Sequence, residues 1–307
     1  MAVITTQGLT MQFGAQRALD ALDLDIPKGV TGLVGANGAG KTTLMSIALG
    51  LRAQTSGSIS VLGMDPARDA ATLRSVVGYG PERNVLPEDM PASDFVKHLA
   101  EVRGMPKREA KGRASDALWL VGLGEERFRA LGTMSTGQRQ RVKLAQAIAA
   151  DPSLILLDEP TDGLDPVQRD EMLALIKQIS GDYGIDVLLS SHLLEEVERI
   201  CDNIVALDAG RLVAQGPLAS LVGDTSTISV ELVEIPERPG AVDKVEQRLR
   251  SGGLGVDRDL NRLRVVGDDP RATLDQVRDA VAAEEARIRR VGIDRRSLED
   301  LFTGGPA

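Results

Sequence analysis

The sequence predicts an α/β protein built on a largely parallel sheet, with a helical interruption and a small α+β unit after it. Three observations predict it. Short apolar runs alternate with helical periods up to about Gly216, the strand–helix alternation that builds a parallel sheet. Strand signals vanish between roughly Pro87 and Ala150. Beyond Gly216 the composition turns to Arg, Asp, Glu and Val, punctuated by Pro236, Pro239 and a Ser-Gly-Gly that starts at Ser251.

Taken in order, "VITTQGLTMQF" and "ALDALDLDIPKG" alternate apolar with polar residues, the pattern of antiparallel strands with one face buried. "VTGLVG", "VVGYG", "LILLDE", "DVLLSS" and "NIVALD" are short apolar runs bounded by Gly, Asp or Ser, which marks them as buried strands. Helical periods such as "KTTLMSIALGL" and "QRDEMLALIKQIS" lie between them. "ASDFVKHLAEVRG", "KREAKGRASDALWLVGL" and "RQRVKLAQAIAA" are all helical in period, giving a helical subdomain over about 87–150. His98 and Trp119 fall inside it and read as packing or solvated helix face. The first domain thus runs over 1–220. "TISVELVEI", "AVDKVEQRLR", "NRLRVVG", "ATLDQVRDAVAAEEA", "RIRRVGI" and "SLEDLF" then read as strand, helix, strand, helix, strand and short helix. That series predicts a small ferredoxin-like α+β domain over 225–307.

Bulk properties narrow the function. Of 307 residues 42% are hydrophobic and 26% charged, enough for a core and ordinary for a soluble chain. The net charge of −9 argues against a protein that wraps nucleic acid, which shows a basic stripe. The single cysteine, Cys201, pairs with nothing internal and fits a reducing compartment. The N-terminus lacks a basic start followed by an apolar run, so no signal peptide is expected. No stretch approaches the ~18 apolar residues that cross a bilayer, so any spanning must be done by another chain.

"GANGAGKT", Gly35 to Thr42, matches G-x-x-x-x-G-K-[ST] in full, with the strand-like "TGLV" before it and the helical "TTLMSIAL" after. Glycines in such a P-loop let backbone N–H groups face phosphate oxygens at a helix N-terminus. Lys41 reaches the β- and γ-phosphates and the Thr42 hydroxyl ligates Mg²⁺. "LILLDEP", Leu154 to Pro160, is a buried strand ending in two carboxylates. Asp158 is placed to hold a metal-bound water and Glu159 to orient or deprotonate an attacking water. Nucleotide binding alone needs only Asp158; the pair predicts hydrolysis.

"MSTGQRQR", Met134 to Arg141, opens a helix with Ser135 and, three residues on, Gln138. This is a capping-box pattern, and a helix start attracts anions. The chain already has a phosphate site, which raises the question of what a second one serves.

"STGQ", then "LLDEPTDGLDP", then "SSH", in that order, resembles the ATP-binding subunits of ABC transporters, over about Met1 to Gly216. The resemblance implies a P-loop NTPase core of the ABC type, in which two chains sandwich two ATPs head to tail. Ser135, Gly137 and Gln138 correspond to the signature that caps the γ-phosphate of an ATP held by the partner chain. Gly35, Asn37, Gly38, Gly40, Lys41, Thr42 and Thr43 form the chain's own phosphate-binding set. Phe13 resembles the aromatic residue stacked on adenine, Asp165 the residue linking the two facing sites, and His192 the switch histidine that holds the γ-phosphate and the attacking water. No Asn-Lys-x-Asp guanine reader is present, which favours ATP over GTP.

Two positions depart from the family pattern. Thr136 replaces a glycine of the signature. Glu82, in "GYGPER", replaces a glutamine that meets the metal and the membrane partner; as a hard oxygen ligand for Mg²⁺ it joins Thr42 and Asp158. Both variants, with the closing "SLEDLF", resemble the drug- and sodium-exporting branch.

The expected function is therefore an ATPase subunit, with ATP and Mg²⁺, that dimerises as a homodimer or heterodimer and powers a separate membrane-spanning permease. It would be cytoplasmic, held at the inner face of the membrane by that permease. No nucleic-acid partner is expected. The competing reading is a soluble ABC ATPase in translation or DNA repair. The single cassette, the absence of a long coiled coil and the acidic balance weigh against it. A scaffold that merely binds ATP would not need both Glu159 and His192.

Overall fold

The computed structural model describes residues 2–82, 86–233, 240–267, 269–296 and 298–303. The chain forms two compact units, one of Met1–Leu218 with Leu301–Ala307 and one of Ala219–Asp300.

The first unit begins with β1 (Ala2–Phe13) and β2 (Gln16–Pro27), then β3 (Val30–Val34), α1 (Lys41–Ala48), β4 (Ser56–Val61), α2 (Ala70–Val76) and β5 (Val77–Gly80). Three helices follow: α3 (Ala92–Val102), α4 (Lys107–Leu120) and α5 (Thr136–Ile148). The chain then alternates through β6 (Leu154–Asp158), α6 (Pro166–Tyr183), β7 (Asp186–Ser191), α7 (Leu194–Ile200), β8 (Asn203–Asp208) and β9 (Arg211–Pro217). β2-β1-β4 make an antiparallel sheet, and β5-β6-β7-β3-β8-β9 a second one that is parallel except at the β9 edge.

The parallel strands are buried on both faces: every residue of β3 and β6 is inaccessible. That is why they read as unbroken apolar runs. β1 and β2 alternate instead, with Ile4, Leu9, Leu19, Leu22 and Leu24 turned inward. Leu44, Met45 and Ile47 of α1 join one core with Leu33, Leu156, Leu188 and these inward residues. Each such side chain stabilises the fold by about 1.5–3 kcal/mol. α1 is thereby fixed between the two sheets, with the loop that precedes it at the carboxyl edge of β3.

α3 and α4 pack on each other, and α5 packs on both. α5 also lies on β5 and β6, with Val142, Leu144, Ala145 and Ile148 buried. The last helix of the 87–150 segment therefore belongs to the core sheet as much as to the helical layer. His98 is exposed and Trp119 is 66% exposed beneath the Arg127 guanidinium, so both lie on solvated helix faces.

The second unit starts within α8 (Leu218–Leu221) and runs β10 (Gly223–Val233), α9 (Ala241–Ser251), β11 (Gly255–Asp259), β12 (Arg262–Val266), α10 (Pro270–Ala283) and β13 (Arg287–Arg296); the short α11 (Asp300–Thr303) follows, and from Leu301 on the chain belongs to the first unit. The sheet order β11-β12-β10-β13, antiparallel throughout, is the βαββαβ topology of the ferredoxin-like fold. Val242, Val245 and Leu249 of α9 and Val277 and Val281 of α10 cover Ile228, Val230, Leu263 and Val265. β11 is a strand the sequence pattern does not reveal: "GVDRD" exposes four of its five residues and carries no apolar alternation to read.

Among the described residues no helix is long and apolar enough to cross a membrane.

Candidate functional site

Three parallel strands end side by side at one edge of the sheet. Val34 of β3 pairs with Ser191 of β7, and Asp158 of β6 pairs with Ser190 of β7. Loops leaving the carboxyl ends of adjacent parallel strands are where ligands bind in α/β folds. Here those loops carry residues 35–40, Glu159 and His192.

The Gly35–Gly40 loop runs into α1, whose N-cap is Gly40 at φ 106°. A Cβ there would stand 2.7 Å from the Ala18 carbonyl oxygen and 2.6 Å from Leu19 Cδ2, so only glycine fits. α1 has no side-chain cap, which leaves its N-terminal dipole to attract an anion.

Lys41, 6% exposed, donates to the Gly35 carbonyl at 2.7 Å and stands 3.4 Å from Glu159 Oε1. Glu159 Oε2 is 2.8 Å from His192 Nδ1. An ionised carboxylate only accepts hydrogen bonds, which places the ring proton of that pair on Nδ1. Glu159 itself adopts φ 48°, a left-handed conformation that side-chain-bearing residues rarely hold outside functional turns. It aims the carboxylate between the ammonium and the imidazole.

Behind this trio, Thr42 Oγ1 donates to Asp158 Oδ2 at 2.9 Å. Ser190, fully buried, donates to Asp158 Oδ1 at 2.6 Å and accepts the Glu159 N–H at 2.9 Å. Ser190 is a site residue that sequence reasoning missed. Its signal was the first letter of "SSH", one pleat behind the histidine.

Phe13, Asn37, Gly38, Gly40, Lys41, Thr42, Thr43, Glu82, Glu159 and His192 line one open cleft of about 510 Å³, with Gln16, Ala18 and Asp162. Gly35 and Asp158 are buried beneath it. Phe13 presents 41% of its surface at one end, with the Arg52 guanidinium 5.3 Å from the ring centroid.

The signature residues lie elsewhere. Ser135, Gly137 and Gln138 do not line this cleft. The capping box forms as the sequence predicts: Ser135 Oγ accepts the Gln138 N–H at 3.2 Å, and Gln138 Oε1 accepts the Ser135 N–H at 3.1 Å. Ser135 and Thr136 are exposed while Gly137 is buried against the Gln168 side chain. Asp165 caps α6 by accepting the Gln168 N–H at 2.9 Å. The turn carrying Glu159 is tied to the signature helix where Gln140 Nε2 donates to the Asp162 carbonyl at 2.9 Å.

Titration shifts mark the edges of the site. The Tyr79 phenol is pushed up to about 12 by burial, with the Asp158 and Glu82 carboxylates adding to it. Burial holds the Lys143 ammonium below its ordinary value, and its Nζ donates to the Glu82 carbonyl at 2.7 Å.

The comparisons agree with this geometry. The ABC transporter family model matches residues 19–162. The daunorubicin/doxorubicin resistance ATP-binding protein DrrA of Streptomyces peucetius is 31% identical over 99% of this chain and 93% of its own. A methionine import ATP-binding protein, MetN, of Mesorhizobium japonicum is 37% identical, over 72% of this chain and 62% of its own. Among solved structures, a dimeric bacterial ABC transporter cassette superposes with a TM-score of 0.62 at 25% identity, covering 70% of this chain and 98% of that one. A nucleotide cleft built of this P-loop, this carboxylate pair and this histidine, in a chain matched end to end by such a relative, places the protein in one family: it belongs to the ATP-hydrolysing, ATP-binding subunits of ABC transporters.

Proposed function

We propose that two ATP-binding subunits, each contributing the cleft at Lys41 and the helix start at Ser135, close around two ATPs and drive a separate permease that exports a drug-like molecule. The carrying observation is Glu159, held between Lys41 at 3.4 Å and His192 at 2.8 Å. In this reading the attacking water gives its proton to Glu159 as its oxygen bonds to the γ-phosphorus, and the bond from that phosphorus to the bridging oxygen breaks. Glu159 is the base, His192 orients it, and Lys41 leaves Glu159 to meet the phosphates. Phe13 stacks on adenine, and Asn37, Gly38, Gly40 and Thr43 line the phosphate path.

The residues also fit a magnesium ion. Thr42 Oγ1 and Asp158 Oδ2 are hard oxygens 2.9 Å apart, with Glu82 on the same cleft. Among the described residues no three carboxylate, imidazole or thiol groups converge, so nucleotide oxygens and water must complete the shell, the arrangement Mg²⁺ favours. Once bound, the ion neutralises phosphate charge.

The signature points to a partner. Ser135, Gly137 and Gln138 start a helix suited to an anion yet stand apart from the chain's own cleft, which favours use in trans. Asp165, at the head of α6, would then lie at the same junction. Thr136 leaves homodimer and heterodimer both open to the chain.

A surface for the permease lies beside the core. A groove of about 640 Å³ runs between α2, β5 and α3, floored by Leu49, Val77, Tyr79, Phe95 and Leu99. Its apolar floor suits a short helix from a cytoplasmic loop of a membrane protein, and would hold this chain at the inner face of the membrane. Export is favoured because the relative that matches 99% of this chain, C-terminal unit included, bears a drug-resistance name. The import relative matches only 72% of the chain.

The test is to purify the Glu159→Gln chain with ATP and Mg²⁺ from detergent-solubilised cells. A multi-span membrane protein should accompany it and be absent with Lys41→Ala. Ribosomes or DNA in its place would overturn the reading.

A further inference from the structure

A fourth charged group lies behind the site and takes no part in the chemistry above. Glu196 of α7 is 3% exposed. Its Oε2 accepts the Ser191 hydroxyl at 2.7 Å and the Thr161 hydroxyl at 2.9 Å, and its Oε1 stands 3.2 Å from Arg169 Nε. Each contact reaches a different part of the catalytic apparatus. Ser191 ends β7 and immediately precedes His192. Thr161, itself buried, follows Glu159 by two residues and starts the turn that leads to Asp165. Arg169 lies in the first turn of α6, where its N–H bonds the Asp165 carbonyl at 2.9 Å.

Burying a carboxylate costs several kcal/mol unless it is well paired. Here two hydroxyl donors and an ion pair with one guanidinium, which makes no hydrogen bond to it, offset part of that cost, so the charge brings three separate segments to a single point. The need for such a tie is visible at His192. Its side chain is 43% exposed and its Nδ1 stands 2.8 Å from Glu159 Oε2, so much of the imidazole faces solvent rather than packed neighbours. The residue before it is fixed instead. Ser191 Oγ also accepts the Leu193 N–H at 3.0 Å, which brackets the histidine backbone on both sides.

We propose that Glu196 is a positioning residue for ATP hydrolysis: by joining Ser191 to Thr161 it sets the distance between His192 and the turn that carries Glu159. The inference rests on the proposed roles of Glu159 and His192. Lost alignment of a base of this kind costs rate more than binding, because ATP is held by the 35–43 segment on the far side of Glu159.

The test compares steady-state ATP hydrolysis by the full chain carrying Thr161→Val, Thr161→Ser or Glu196→Gln. Thr161→Val is near-isosteric and removes one donor, so it keeps the fold even where Glu196→Gln does not. Thr161→Val should lower kcat about tenfold and leave KM for ATP within about twofold, and Thr161→Ser, which keeps the hydroxyl, should restore most of the rate. Because Glu196 acts through the histidine, Thr161→Val should add little in a His192→Ala background. Unchanged kcat, or losses that multiply with His192→Ala, would overturn the inference while wild-type hydrolysis leaves the assigned function standing. Absence of hydrolysis by the wild-type chain would overturn both.

Discussion

Asp158 and Ser190 sit opposite each other on β6 and β7, and the Ser190 hydroxyl donates to Asp158 Oδ1 at 2.6 Å while accepting the Glu159 N–H at 2.9 Å. One buried hydroxyl thus fixes both consecutive carboxylates, the first by its side chain and the second by its backbone. Ser190→Ala should strand an acceptor and a donor in the interior, costing about 1–3 kcal/mol of stability. Hydrolysis should fall about tenfold as Glu159 loses its anchor. Thermal unfolding and ATPase assays on the same preparation check both halves; a full-rate, fully stable variant would contradict the relationship.

Phe13 makes a prediction about affinity rather than rate. Its ring is 41% exposed at the mouth of the cleft and already carries a guanidinium on one side. Phe13→Ala should raise KM for ATP about two- to tenfold, the range expected for loss of one aromatic contact of about 0.5–1.5 kcal/mol. Phe13→Tyr should behave like the wild type, and kcat should hardly change in either. A fall in kcat at constant KM would remove Phe13 from the adenine site.

Cys201 should be chemically silent in the native state. It is 7% exposed, and burial, aided by the Asp202 carboxylate, pushes its thiol up to about 12. At pH 8 its thiolate fraction is then about 10⁻⁴. The native state keeps the thiol proton through a pH range in which the unfolded chain releases it. Its contribution to stability is therefore complete below the ordinary thiol range and is lost as pH rises from there towards about 12. Iodoacetamide labelling at pH 8 should be slow on native protein and rapid in denaturant. Equal rates would show an accessible thiolate.

Much of this was legible beforehand, because the strands around the nucleotide are buried on both faces and carry unbroken apolar letters. "LILLDE" and "DVLLSS" became β6 and β7, and "GANGAGKT" became the turn into α1. Elements with little burial left weaker traces. α2 buries only Leu73, and β11 exposes nearly all of its length. At the site, motif letters identified Lys41, Thr42, Asp158, Glu159 and His192, each of which meets another in space. Ser190 and Glu196 escaped because their roles exist only once parallel pairing brings β6 beside β7 and packs α7 behind them. The last two residues of the predicted strand "TISVELVEI", Glu234 and Ile235, fall within 234–239, outside the described residues.

The most direct test of the central claim is the mass of the Glu159→Gln chain in solution with ATP and Mg²⁺, measured by light scattering. Glu159→Gln should slow hydrolysis by about 10²–10⁴ and so trap the bound state. The expected result is an ATP-dependent dimer that ADP does not support and that Gly137→Arg, at the signature helix, prevents. A chain that binds ATP and stays monomeric under these conditions would contradict an ATPase whose second phosphate site serves its partner.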